Sequence, residues 1–85
     1  MAAHKVDYAE FAPRVVAALR DHFPQDTIAV REGYLGHVHV RAVSEQFDGL
    51  SEREKQALIW RLLERELGDE AQDVALAMAY GVDEL

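Results

Sequence analysis

Three stretches of the sequence predict a two-layer α+β domain, a small sheet with helices on one face. HVHVRAV (37–43) alternates at the period of a strand: Val38, Val40 and Ala42 point one way, His37, His39 and Arg41 the other. SEREKQALIWRLLEREL (51–67) has the apolar spacing of an amphipathic helix behind a Ser-x-x-Glu start. PRVVAALRDH (13–22) carries a second, shorter apolar stripe. One wet face and one buried face suit a sheet covered on a single side. With 85 residues and a hydrophobic fraction of 49%, the whole chain (1–85) is read as one domain with a folded core.

The opening MAAHKVDYAEF holds a capping pair, Asp7 with Glu10 three residues on, but Pro13 lies too deep for one uninterrupted helix. Residues 1–12 are therefore expected to form an N-terminal arm or a separate turn. The first helix is expected over 13–22, with Val15, Val16, Leu19 and Phe23 as its stripe. Pro24 closes it, and Pro24-Gln25-Asp26 turns the chain. TIAV (27–30) is a short strand, REGYLG (31–36) a turn with two glycines, and 37–43 the second strand. Ser51 and Glu54 start the long helix; Leu58, Ile59, Leu62, Leu63 and Leu67 are its buried stripe, Trp60 its flank, and Gly68 its stop. DVALAMAY (73–80) reads two ways. Val74, Leu76, Met78 and Tyr80 alternate as in a strand, whereas Ala75, Ala77 and Ala79 favour a helix.

Composition excludes several functions. There is no cysteine, so disulfides, cysteine zinc sites and a thiol nucleophile are ruled out. Asp7 and Glu10 interrupt the region where a signal peptide needs its apolar segment, and no run approaches membrane-spanning length; a cytoplasmic location is the expectation. Net charge is −7, and from residue 64 onward seven acids (Glu64, Glu66, Asp69, Glu70, Asp73, Asp83, Glu84) face the single base Arg65. Such a surface repels phosphate backbones and disfavours nucleic acid.

Ser44, Phe47, Gly49 and Ser51 follow an apolar strand in VSEQFDGLS, and there the chain resembles the V-S-x-x-F-x-G-x-S signature of BolA-like proteins. Phe23-Pro24 and Ala75-Leu76 also fall where that family has similar residues, so the resemblance spans 13–85. It implies a BolA-like, class II KH-like core of order αββ(α)αβ, with 74–80 as a third strand. It also implies a non-enzymatic adaptor that pairs with monothiol glutaredoxins in iron–sulfur or redox homeostasis; some members are linked to transcription control. The family's Arg-His-Arg triplet falls on Lys55, Gln56 and Ala57, and the histidine preceding its last Ala-Leu falls on Val74. The remaining family ligand, in the loop between the first two strands, matches His37 alone. No intrinsic cofactor is expected; any iron–sulfur cluster would be shared with the partner, which would supply most of the ligands.

His37 and His39, at i and i+2, share one face about 7 Å apart and can both reach one metal ion, yet no third ligand is evident. Together with Arg41 and with Tyr34 at the tip of the preceding turn, they form a candidate partner-docking surface. Gly33-Tyr34-Leu35-Gly36 spells the G-x-x-G of KH loops, but between strands and without a basic residue it reads as a β-turn needing positive φ. Ser51 reads as a cap, Ser44 as a turn residue, Phe47 as a corner plug and Gly49 as the reversal. His22 suits a helix C-terminus. No nucleophile, base and oxyanion set converges, so no enzyme is expected. Two other functions stay open: a nucleic-acid-binding regulator using Arg14, Arg20, Arg53, Lys55, Arg61 and Arg65, or a generic protein-interaction module. The expected state is a monomer or weak dimer.

Overall fold

The computed structural model describes residues 4–85. Its order is α1 (Tyr8–Arg20), β1 (Thr27–Glu32), β2 (Val38–Val43), α2 (Glu52–Leu67) and β3 (Val74–Tyr80), with 3-10 turns at Tyr34–Gly36, Glu45–Phe47, Gly68–Asp73 and Val82–Glu84. The sheet is three-stranded, β1-β2-β3; β1 pairs antiparallel with β2, and β3 pairs parallel with β2. A parallel pair needs a crossover, and α2 is that crossover, which fixes it on one face. The α+β two-layer expectation is met.

One core runs from Val6 to Ala79. The central strand supplies Val38, Val40 and Ala42, all fully buried, against Val15 and Leu19 of α1 and Ile59 and Leu63 of α2. Ser51 caps α2 with the reciprocal bonds expected: Glu54 N–H donates to Ser51 Oγ (3.1 Å) and Ser51 N–H to Glu54 Oε1 (2.9 Å).

The first helix departs from expectation. It begins at Tyr8, not Pro13, and Asp7 caps it through its side chain and backbone. Pro13 lacks the N–H that would reach the Ala9 carbonyl. The helix continues because Phe11, Ala12 and Val15 bury their side chains on the sheet side while the Pro13 ring stays exposed. Tertiary burial outweighs one lost bond. Of the proposed arm over 1–12, only 4–7 precedes the helix in the described part, residues 1–3 lying outside it. That short arm is fastened: Val6 is buried and its N–H donates to the Leu35 carbonyl at 2.8 Å. The turn uses positive φ, as the glycines suggested, at Leu35 (55°) and Gly36 (79°). A Cβ on Gly36 would run into the Val6 carbonyl oxygen.

The strands also shift. β1 extends to Glu32, so Arg31 belongs to the sheet rather than to the turn, and β2 starts at Val38 rather than His37. β3 is a strand, and its alternation is broken once. Val38 pairs with Val74 and His39 with Leu76, leaving Ala75 as an extra residue. Beyond it, Ala77 and Ala79 turn inward and Leu76, Met78 and Tyr80 outward. The small alanines lie under α2, and the large side chains sit on the uncovered face.

The β2–α2 corner is closed by Phe47, fully buried with its ring centroid 5.3 Å from that of Phe23. Phe47→Ala should lower stability by about 3–5 kcal/mol. The effect is read as a lower urea midpoint at unchanged slope. A loss below about 1 kcal/mol would mean that the corner is not packed in this way.

Candidate functional site

In the elbow between β2 and α2 (44–51), Ser44, Phe47, Gly49 and Ser51 each have a structural task. Ser44 is fully buried; its Oγ accepts from Gln46 N–H (3.0 Å), and its own N–H donates to the Tyr80 carbonyl (3.0 Å), joining the ends of β2 and β3. Gly49 turns at φ 75°, and its N–H donates to Asp83. Asp83 N–H in turn donates to Asp48. Neither Ser44 nor Ser51 has a histidine partner, and both hydroxyls accept from backbone N–H groups.

Lys55, the basic position aligned with the triplet of BolA-like proteins, is withdrawn from the surface. Its side chain is 3% exposed, with Nζ 2.6 Å from both Glu52 and Glu84. Hydrogen bonds to Glu52, then Glu84, push its pKa up. The Lys55 bond, then the Gly81 N–H, holds the Glu84 carboxyl below the usual range. Lys55 therefore pins the C-terminal turn to α2 and offers nothing to a phosphate. Gln56 serves the fold as well: its Nε2 donates to the Ala77 carbonyl, and its Oε1 accepts from Trp60 Nε1. Three more of the late acids are engaged. Glu66 meets His22, Glu70 meets Arg14 and Asp73 meets His4, so this end of α2 and the following turn tether α1 and the arm.

The candidate residues of the second strand separate. His37 bonds through Nδ1 to the Tyr34 carbonyl (3.0 Å) and lies edge-on to His4, ring centroids 6.0 Å apart. The His39 ring instead covers Gly33, where a Cβ would collide with it. The two imidazoles thus take different neighbours. Among the described residues, no group of three or more His, Cys, Asp or Glu is arranged to hold a metal ion. One imidazole with Nδ1 engaged offers a single ligand atom, so the residues present do not by themselves make a cluster site. Tyr34, at 81% exposure, is the most open aromatic of the turn.

The structure brings together a different set. On the uncovered face, Arg31 pairs across with His39 and then Leu76, and Ala29 with Arg41 and then Met78. These residues line a shallow groove of about 320 Å³. Directly opposed residues sit about 5 Å apart and diagonal ones about 7–8 Å, within reach of long side chains. Arg31 and Arg41 form no ion pair among the described residues, unlike Arg14 or Lys55. Two unpaired guanidiniums and an imidazole beside Leu76 and Met78 suit carboxylate recognition with apolar contact.

Arg31, Leu76 and Met78 were missed from sequence. Extending TIAV by two residues would have placed Arg31 outward with Ala29, since the alternation continues through Arg31. No signal marks the Ala75 bulge. No family model, curated protein or solved structure matches the chain. No helix among the described residues is long and apolar enough to cross a membrane.

Glu54, Glu70 and Glu84 all titrate below the ordinary glutamate range, held down by Ser51, Arg14 and Lys55 respectively. The unfolded chain therefore binds more protons than the native one in that window. Stability should be complete above about pH 4.5 and fall as pH drops through the lowered values. Glu84→Gln should flatten this acid limb in urea midpoints taken from pH 7 to 3; an unchanged limb would remove Glu84 from the account.

Proposed function

We propose that the chain is a BolA-like, non-enzymatic adaptor that docks a partner protein on the uncovered face of its sheet. One observation carries this reading: a chain of net charge −7 keeps Arg31 and Arg41 unpaired, with His39, on one face beside exposed Leu76. In an acidic protein, unpaired cations grouped beside an apolar strip mark a contact surface. The Ser44–Ser51 elbow and the element order support the family reading; Val74 and Gln56, where the family has histidines, argue that the cluster role is reduced. A glutaredoxin-type partner would bring the cluster ligation itself, with His37 the one ligand from this chain.

Titrating the 15N-labelled chain with a monothiol glutaredoxin carrying a cluster should move the amides of Ala29, Arg31, His39 and Arg41. Shifts at these positions with unchanged cluster absorbance would support docking and remove His37 as a cluster ligand. No shift anywhere would end the glutaredoxin form of the proposal.

A further inference from the structure

The uncovered face also limits what can lie on it. We propose that its occupant is an acidic amphipathic helix of a partner protein, with carboxylates against Arg31 and Arg41 and apolar side chains along Leu76 and Met78. The inference rests on the docking reading above and specifies the chemistry of the bound element.

Backbone satisfaction favours a helix on this face. A sheet face presents side chains only, since its N–H and C=O groups lie in the plane of the sheet. An extended segment laid across it would bury its own backbone groups without partners, which is costly. A helix satisfies its backbone internally and brings only side chains. Strand addition at the β3 edge is a different mode, and that edge is partly occupied. Tyr80 faces β2 with its carbonyl, bonded to Ser44, so the alternate residues Ala77 and Ala79 present their backbone to the outer edge. There the Ala77 carbonyl already accepts from Gln56.

The face also has the size of one helix. Three strands about 4.8 Å apart make a face about 10 Å wide, the diameter of one helix, and strands of six or seven residues span about 20–23 Å. About four helical turns match that length.

Charged and apolar side chains lie in separate columns of the face. The cations sit on β1 and β2, and the apolar side chains run down β3, with Tyr80 Oη donating to Met78 Sδ (3.6 Å). A helix lying along the strands meets a charged column on one flank and an apolar column on the other, and an i, i+4 acidic stripe next to a leucine stripe complements both. Nucleic acid fits less well. The face has two unpaired arginines and one aromatic, Tyr80, at its far end, while the rest of the molecule is anionic.

The test uses a helix-stabilised synthetic peptide of about four turns, Glu on one stripe and Leu on the next, against a twin with Lys for Glu and against oligothymidylate. The acidic peptide should move amides of Arg31, His39, Arg41, Leu76 and Met78. R31Q/R41Q should weaken it about tenfold. Leu76→Ser, a surface change, should weaken it severalfold. The Lys twin should leave the face unmoved. The inference is overturned if the acidic peptide shifts nothing on this face, if the Lys twin shifts it equally, or if oligothymidylate binds there more tightly. Concentration-dependent shifts of the free chain at these amides would assign the face to a second copy and overturn it too. A glutaredoxin that shifts the face while the acidic peptide does not leaves the adaptor reading standing and rejects the helix alone.

Discussion

The strand at the centre of the sheet has one face from which water is fully excluded and one that keeps it, and the other elements are placed by that division. Val38, Val40 and Ala42 lose all solvent contact; between them His39 and Arg41 keep theirs. Burying a valine is worth about 1.5–3 kcal/mol. Slipping β2 by one residue would exchange those valines for an arginine and a histidine in the core, where desolvating the guanidinium alone costs several kcal/mol. The register is therefore strongly fixed. With β3 joined in parallel, α2 must return over the same face as α1, and the opposite face is left bare.

The bare face acquires its character from two neighbours of β2. The hairpin pairing carries Arg31 to a position opposite His39, adding a second guanidinium to that of Arg41. The bulge at Ala75 turns Leu76 and Met78 outward and leaves the small Ala77 and Ala79 under the helix. Several charges elsewhere are paired within the molecule. Arg14 with Glu70, His22 with Glu66 and Lys55 with Glu52 and Glu84 tie elements distant in sequence, and these bonds shift the carboxylates of Glu70 and Glu84 toward the ionised form. Arg31 and Arg41 stand outside this network, as do Arg53, Arg61 and Arg65, but they alone of these lie on the bare sheet face beside exposed Leu76.

Much of the fold was legible because it rests on local signals. The alternation of 37–43 and the Ser51–Glu54 cap each follow from a short-range rule and stand in the structure; of the expected α2 stripe Ile59 and Leu63 are buried, while Leu58, Leu62 and Leu67 are only partly covered. The start of α1 was misread for lack of a tertiary quantity. Pro13 reads as a breaker until Phe11 and Ala12 are known to be buried against the sheet. The identity of 74–80 was undecided on propensity because its alanines are there for closeness to α2, a reason invisible in the segment itself. Lys55 looked like surface charge, yet its ammonium is held by Glu84, twenty-nine residues away. The site was half legible: His39 and Arg41 fall on the expected face, but His37 turns to Tyr34 and His4, and the Arg31 and Leu76 contributions depend on register and bulge.

The central claim is that one face of the sheet is bare and that Leu76 and Met78 belong to it. Relaxation enhancement of methyl protons by a neutral gadolinium chelate measures this directly. The Leu76 and Met78 methyls should be strongly enhanced, while those of Val15, Val38 and Val40, which have no solvent contact, should be unaffected. Leu76 methyls as protected as those of Val40 would show that the face is covered and would contradict the account.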